Sequence, residues 1–300
     1  MKKFIFLLGL VGFSCIVTGC ASAKFAAPEY YAKEMAKSVQ QPLIMEFELS
    51  GYNLSADTTN NVQAKLACLK KYRFFSKYNQ GGHYVLRELD EIGALVLKEA
   101  SEESNVTPDY LLQIQFNPQL NISGGGGSVR NFVYTCDTSF QLKKAGSVIA
   151  SGSDVARRGI VQKRFIHRTT EGQSSDDQAN KNDMIHKSFN RVLAQIYNAV
   201  PWSFPVVSGF GKSFVIAQGK NGVVIEKAPV TMVYKENGVC VPVGRGFVSA
   251  IHEKKTNIEI TDWADSDVSA AIANDINYIK NNQGKIFVIS DKVEREFFNK

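Results

Sequence analysis

Alternating apolar and polar residues predict the central strands of this chain. From residue 109, the run DYLLQIQFNPQLNIS places apolar side chains on one parity and amides on the other. A second run, NFVYTCDTSFQL, alternates in the same way beyond a four-glycine tract at residues 124–127. Period-two patterns on both sides of a glycine loop predict a β-hairpin. Pro118 falls on the apolar parity of the first run, which indicates a sheet edge or a bend.

Apolar residues at helical spacing predict three helices in the same part of the chain. The first, in residues 60–72, has its apolar stripe at Val62, Leu66 and Leu69. The second, in residues 83–104, spans Gly93 and has its stripe at Val85, Leu89, Ile92 and Val96. The third, in residues 183–199, ends before Pro201 and has its stripe at Ile185, Phe189, Val192, Leu193 and Ile196. The polar stretch before it, residues 159–182, is predicted to be a loop or the lead into that helix.

Shorter runs complete the predicted fold. Residues 21–41 are predicted to form a tether and a short helix, and PLIMEFEL, YRFFSKY and VIASGSDVARRG are predicted strands. Residues 42–201 therefore follow the order β-α-β-α-β-β-β-α, which is typical of an α+β domain with helices covering one face of a mixed sheet.

From residue 202 onward the segments are short, β-rich and separated by turn residues. They are VVSGFGKSFVIAQ, GVVIE, VTMVY, GRGFVSAI and NIEIT, followed by a predicted helix at residues 265–282 and the strand KIFVIS. Closely spaced short strands predict a small barrel or sandwich. Residues 202–300 are therefore predicted to form a second, β-rich domain.

The first 20 residues have the pattern of a bacterial lipoprotein signal. Lys2 and Lys3 precede an apolar stretch at residues 4–17, shorter than the roughly 20 residues of a membrane helix. The run VTGC at residues 17–20 resembles a lipobox, whose cysteine becomes the lipidated first residue of the mature protein. The alternative is an ordinary signal peptide with a chance cysteine.

We expect residues 1–19 to be a removed signal peptide, Cys20 to be the lipidation site, and residues 20–41 to be the anchor and tether. The residue after Cys20 is Ala21 rather than an aspartate. By analogy with enteric lipoproteins, this predicts the outer membrane, with the protein facing the periplasm.

Composition and charge narrow the function classes. Hydrophobic residues make up 44% of the chain, enough for real cores, and the net charge of +6 is spread without a block of like charges. This pattern argues against a nucleic-acid partner. Three cysteines besides Cys20 follow the signal, namely Cys68, Cys136 and Cys240, and none forms a C-x-x-C pair. They are predicted to be buried free thiols; the alternative is one disulfide, for which Cys68 and Cys136 form the best pair.

Motifs for catalysis are not evident. The chain has neither H-E-x-x-H nor G-x-S-x-G, and GFGKS at residues 209–213 lacks the first glycine of a phosphate loop. Asp262, Asp265 and Asp267 fit a calcium site or, more simply, a helix cap at Asp265. We therefore predict no catalytic residue, no metal site, no cofactor and no enzymatic activity.

Some short motifs resemble known envelope proteins. The strand start Asp109-Tyr110-Leu111-Leu112 and the turn Lys144-Ala145-Gly146-Ser147 resemble the periplasmic domain of curli-secretion (CsgG-like) lipoproteins. The amino-terminal domain of TolB and the penicillin-binding-protein activator lipoproteins have a related α+β shape. The run VPVGRGFVSAIHEKKTNIEI resembles the carboxy-terminal β-domain of flagellar assembly protein T, although that protein has a further domain and is not a lipoprotein.

These resemblances imply a non-enzymatic binding or assembly factor for an envelope complex. The expected partners are envelope proteins, another copy of the chain and, through the lipid, the membrane; the sequence identifies no partner-binding residue. The alternative is a subunit of a curli-type secretion pore, in which the hairpin at residues 112–142 crosses the membrane with its apolar face toward lipid. That pore uses two hairpins per subunit, and only one is evident. The simpler interpretation places the apolar face beneath helices and the amide-rich face in water.

Overall fold

The computed structural model describes residues 25–80, 83–96, 107–123, 129–163 and 170–299. The first part of the chain contains α1 (Pro28–Lys37), β1 (Leu43–Ser50), α2 (Ala56–Ala67), β2 (Tyr72–Gln80), β3 (His83–Leu89), β4 (Leu95–Val96), β5 (Tyr110–Ser123), β6 (Val129–Lys144), β7 (Ser147–Lys163) and α3 (Thr170–Ala199). The second part contains β8 (Ser203–Phe210), β9 (Ser213–Ile216), β10 (Pro229–Glu236), β11 (Val239–Ile251), β12 (Thr256–Trp263), α4 (Asp267–Asn274), α5 (Tyr278–Asn281) and β13 (Ile286–Ser290).

The first part forms a seven-stranded mixed sheet in the order β4-β3-β2-β1-β5-β6-β7. β1 runs parallel to β2 and β5, and the other neighbours are antiparallel. The alternating apolar side chains of β5 and β6 lie on one side of the sheet and pack beneath α3, where the ring centroids of Phe116 and Phe189 are 5.9 Å apart. The predicted hairpin and the α+β class with helices on a mixed sheet are confirmed. Pro118 lies beyond the part of β5 that pairs with β1, so its missing N–H interrupts no bond on that side.

The second part forms a closed barrel in the order β10-β11-β12-β9-β8-β13. Its interior is filled by branched and aromatic side chains that include Phe214, Ile216, Met232, Val243, Ile258, Ile260 and Val288. Closure pairs every strand on both sides, so the barrel has no open sheet edge. The predicted small barrel is confirmed.

Helix α1 packs on the outside of the barrel rather than on the sheet that follows it in sequence. Tyr31 is buried there with Val233, Cys240 and Ile289. The hydroxyls of Ser38 and Ser203 share a hydrogen bond of 2.5 Å just after the helix. The start of the described chain is therefore fixed to its second half.

Residues 291–299, which follow the last barrel strand, return to the sheet part. The side-chain amide of Asn198 on α3 donates to the Val293 carbonyl at 3.0 Å and accepts from the Val293 N–H at 2.9 Å. Arg295 lies 3.4 Å from the buried carboxylate of Asp154 on β7. These contacts tie the end of the chain to α3 and β7.

The predicted helix at residues 83–104 is wrong for the described part of that segment. β3 pairs with β2, a turn follows, and β4 adds two residues; residues 97–104 lie outside the described residues. In the turn, the Asp90 carboxylate accepts from the N–H groups of Ile92 and Ala94, and Gly93 adopts a positive φ of 84°. Ile92, assigned to the apolar stripe, is 79% exposed. The apolar spacing fits a helix, but pairing with β2 determines the structure.

Three further predictions are corrected. β7 extends to Lys163 and α3 already begins at Thr170, so most of the stretch predicted as a loop or helix lead is strand and helix. GVVIE is not a strand, although Val223 and Val224 are buried in the barrel core. The predicted helix at residues 265–282 is divided into α4 and α5, and Ser266 rather than Asp265 caps α4.

Candidate functional site

One side of the sheet carries a regular array of side chains, all polar except Val155, which we call the amide face. Its members are Gln113, Gln115, Asn117, Gln119 and Asn121 on β5, Thr135, Asp137, Ser139 and Gln141 on β6, and Ser151, Ser153, Val155 and Arg157 on β7. Strand residues alternate between two faces, so the register that buries Phe116 beneath α3 exposes these side chains on the opposite side.

The strand register arranges the amide face in rows across three strands. The central rows are Gln115–Ser139–Ser153, Asn117–Asp137–Val155 and Gln119–Thr135–Arg157. Amides and hydroxyls both donate and accept hydrogen bonds, whereas these rows contain only one carboxylate and one guanidinium. The face is therefore nearly uncharged and rich in hydrogen-bonding groups.

On the β1 side, the amide face continues into a network of charged side chains. The side-chain N–H of Gln113 donates to Glu48 at 2.7 Å, and Lys143 donates to the Gln113 carbonyl oxygen at 2.6 Å. Lys77 lies 2.6 Å from Glu46. Glu46, Glu48 and Lys77 also line an open cleft of about 700 Å³ where β1 and β2 separate. The network holds Gln113 in one orientation at the border of the face.

The far edge of the amide face is β7, the last strand of the sheet. Two α3 side chains reach its free edge: Arg191 donates to the Val155 carbonyl at 2.9 Å and Gln195 donates to the Ser153 carbonyl at 3.1 Å. The Val155 N–H donates to the carboxylate of Asp154 at 2.9 Å. Occupied backbone groups cannot pair with a foreign strand. This part of the edge is therefore closed to strand addition, and the face remains the accessible surface.

Cys20, the predicted lipidation site, lies outside the described residues. Phe25 is the first described residue, and α1 begins at Pro28, eight positions after Cys20. The guanidinium of Arg245 on β11 lies 5.0 Å from the Phe25 ring centroid. The chain that leads from the predicted anchor thus arrives at the barrel.

Comparison with known proteins gives structural likenesses only. No family model matches the chain, and no curated protein matches it. Among solved structures, a minor lipoprotein from Acinetobacter baumannii is similar over 52% of this chain and 93% of its own, with 14% identity and a TM-score of 0.31. A hypothetical protein from Chlamydia trachomatis covers 53% and 97%, with 10% identity and a TM-score of 0.29. A DUF330 protein from Xanthomonas campestris covers 54% and 85%, with 12% identity and a TM-score of 0.22.

These values leave the function open. A TM-score near 0.3 at such low identity carries no argument about what a protein does. The resemblances to CsgG-like lipoproteins and to flagellar assembly protein T therefore stay predictions.

The three cysteines of the described chain are free. Cys136 and Cys240 are buried as predicted, but Cys68 is exposed, so the prediction of burial is wrong there. The alternative Cys68–Cys136 disulfide is not formed. Cys68 lies at the C-terminal end of α2, where its thiol donates to the Ala64 carbonyl at 3.4 Å.

The other candidate motifs have structural roles. Gly211 and Lys212 form the turn between β8 and β9, and a strand rather than a helix follows. Within the described residues, no group of three or more potential metal ligands comes together, and this includes Asp262, Asp265 and Asp267. In the same part of the chain, no helix is long and apolar enough to cross a bilayer.

A buried lysine, Lys71, closes the end of α3, and no pattern in the sequence singles it out. The Lys71 side-chain nitrogen donates to the carbonyls of Tyr197 at 3.0 Å and Val200 at 2.7 Å, and Tyr72 donates to the Ile196 carbonyl at 2.9 Å. Burial lowers the pKa of Lys71 well below its usual range. These bonds satisfy carbonyls at the helix end that have no partner within the helix. Lys71 is therefore a structural cap.

Proposed function

We propose that this protein is a non-enzymatic lipoprotein of the bacterial outer membrane that faces the periplasm and binds an envelope protein through the amide face. The observation that carries the proposal is the arrangement of the β5–β7 strands. The central part of their apolar side is covered by α3, whereas the opposite side presents ordered rows of hydrogen-bonding side chains. A rigid sheet fixes these groups in advance, which lowers the entropy lost on binding.

The size of the face indicates the kind of contact. Eight residue steps from Gln113 to Asn121 span roughly 27 Å, and three strands are roughly 15 Å wide, which gives about 400 Å². A standard stable interface buries ~800 Å² per partner. The amide face alone therefore suits a reversible contact, and a stable complex would have to extend onto the neighbouring network around Glu48 and Lys143.

The proposed anchor is compatible with this geometry. The eight residue steps from Cys20 to Pro28 span at most ~28 Å when fully extended. If Cys20 carries the lipid, the barrel stays within that distance of the membrane surface because α1 is fixed to it. Several acyl chains on one cysteine provide durable attachment, since each buried methylene contributes ~0.8 kcal/mol.

The alternative of a curli-type pore is less favourable on energetic grounds. Ile114 and Phe116 are fully buried and Phe140 is 3% exposed, all on the side that a pore would turn toward lipid. Insertion would first require α3 to leave this side, and uncovering each large apolar side chain costs ~1.5–3 kcal/mol. The burial of this face supports the binding protein over the pore.

Site-specific photo-crosslinking in intact cells tests the proposal. A photoreactive amino acid replaces Asn117, at the centre of the amide face, and in a matched control it replaces Asn274, an exposed asparagine on α4. We expect a discrete adduct from position 117 and none of the same mass from position 274. We also expect Gln115→Lys together with Gln119→Lys to abolish that adduct. Identical adducts from both positions, or an adduct that persists with both lysines present, would refute the amide face as the binding surface.

A further inference from the structure

A groove lies at the junction of the sheet part and the barrel, far from the amide face in the fold. It has a volume of about 230 Å³ and is bordered by α2, α3, the loop at residues 225–227 and the C-terminal segment. Ligand sites commonly occur at such junctions, where an apolar surface meets a few polar groups. The groove contains both kinds of side chain.

The floor of the groove is apolar. It is formed by Leu193 of α3, Ile225 of the loop, and Phe297 and Phe298 of the C-terminal segment. The two phenylalanine rings are 5.0 Å apart in an edge-to-face arrangement. Ile225 and Phe297 each pack against both hydrophobic cores, so the floor is fixed by both parts of the molecule.

The rim of the groove carries two lysines and one glutamate. Lys65 is half-buried and has no hydrogen bond or ion pair with another described residue, and burial lowers its pKa. Lys227 is exposed and adopts a positive φ of 64°, a strained backbone conformation for a residue with a side chain. Glu226 lies beside it. Two cations and one anion give the rim a net charge of +1, which complements a single negative charge.

We propose that this groove binds a small amphipathic carboxylate of the medium-chain fatty acid type. The apolar chain lies on Leu193 and the two phenylalanines, and the carboxylate lies between Lys65 and Lys227. The groove and the amide face share no residue, so either proposal can fail without the other.

Decanoate is a suitable test compound, with decan-1-ol as its uncharged counterpart. The protein is a chain that begins at residue 20 and carries Cys20→Ser, which retains every described residue. Isothermal titration calorimetry should detect decanoate binding, and the Kd should rise roughly fourfold for each methylene removed from the chain. Decan-1-ol should bind at least about tenfold more weakly than decanoate.

Cys68 provides an independent readout because it lines the groove and is exposed, whereas Cys136 and Cys240 are buried. Decanoate should slow the alkylation of Cys68 by iodoacetamide, with half-protection at the calorimetric Kd. Mass spectrometry of the alkylated peptide measures this directly.

Charge-removing variants test the carboxylate position. Lys65→Gln combined with Lys227→Gln should weaken decanoate binding by about tenfold or more and leave decan-1-ol binding unchanged. Lys280→Gln, an exposed lysine on α5, is the matched control and should have no effect. The proposal is overturned by absent decanoate binding, by unprotected Cys68, by equal binding of the alcohol, or by a double variant that behaves like the Lys280 control.

Discussion

Replacing Phe116 with lysine separates the binding protein from the pore. Phe116 is fully buried between β5 and α3, with its ring 5.9 Å from that of Phe189. In the structure described here, Phe116→Lys places an ammonium in an apolar core. In a pore, the same residue would face lipid, and the soluble part of the molecule would be little affected.

The loss of stability expected for Phe116→Lys follows from the burial of this position. A buried lysine loses its proton because its pKa falls to ~5–6, whereas the unfolded chain keeps a pKa of ~10.4. Neutralising the amine at pH 7 costs at least ~4.6 kcal/mol, since each pKa unit corresponds to ~1.36 kcal/mol. Loss of the Phe116 ring contacts adds to this cost. The total is comparable with the whole stability of a typical domain, ~5–15 kcal/mol.

Thermal unfolding followed by circular dichroism, without detergent, measures the effect. A chain of residues 25–300 keeps every described contact, and Phe116→Lys should lower its Tm by roughly 10–20 °C. Asn117→Lys is the matched control: its side chain is on the amide face, and the free energy of unfolding should change by less than ~0.5 kcal/mol. Between pH 7 and pH 9 the unfolded lysine binds a proton that the folded one does not, so stability should rise by ~2.7 kcal/mol relative to the unmutated chain.

Two results would refute this reasoning. The first is a Phe116→Lys chain that melts like the Asn117→Lys control, which would mean that α3 does not cover this residue in solution. The second is discrete conductance steps from the unmutated protein in planar bilayers, which would favour the pore.

The remaining predictions concern the anchor, one turn and two buried tyrosines. Cys20→Ser should release the protein from the membrane fraction or leave an unprocessed precursor, and retention after a high-salt wash would contradict lipidation. Gly93→Ala should destabilise the fold by ~2 kcal/mol or more, measured by urea unfolding, because the added Cβ would lie 2.4 Å from the α2 backbone. The control is Gly146→Ala, which also has a positive φ but open space around it and should cost only ~1 kcal/mol. Burial raises the pKa of Tyr72 and Tyr197, so both stay protonated in the fold while the unfolded chain ionises, and stability should fall above pH 10 by ~1.4 kcal/mol per pH unit for each tyrosine. Tyr72→Phe should remove its share of that slope, and an unchanged slope would show that Tyr72 ionises freely.

The sequence predicts the β5–β6 hairpin well because one side of it is buried and the other meets water. That condition enforces a period of two over many residues, so both the strands and the amide face follow from the alternation alone. The β-rich second domain, as a small barrel or a sandwich, is predicted for a related reason, since frequent turn residues separate its short strands; closure of the barrel does not follow from the sequence.

The errors occur where the partner of a segment, rather than its own pattern, decides its structure. The run at residues 83–96 has apolar residues at helical spacing, but β2 offers it a strand to pair with. The first half of α3 is not predicted as helix, because it has no apolar stripe. Polar contacts hold it on the sheet instead: Tyr52 donates to Gln178, and Tyr134 donates to Asp177. Burial and the Asp177 contact raise the pKa of Tyr134 to about 12.

The groove is beyond prediction from sequence because its lining comes from distant parts of the chain. More than a hundred residues separate Lys65 from Ile225, and four barrel strands lie between Ile225 and Phe297. No local sequence pattern connects these positions. Only the return of the C-terminal segment to α3 brings the phenylalanines to the lysine. Sites of this kind need the tertiary structure.

Helix α1, before the sheet part, packs on the barrel, and residues 291–299, after the barrel, pack on the sheet part. This crossed packing has a consequence for synthesis and for evolution. α1 needs the barrel to bury Tyr31, and the groove side of α3 needs residues 291–299. Synthesis must therefore pass residue 290 before α1 can bury Tyr31, and until residues 291–299 follow, part of α3 stays uncovered. For the same reason, a recombination event that moved only the part of the gene encoding the barrel would expose the apolar surfaces of α1 and of α3. We therefore expect the two halves of the protein to be inherited together.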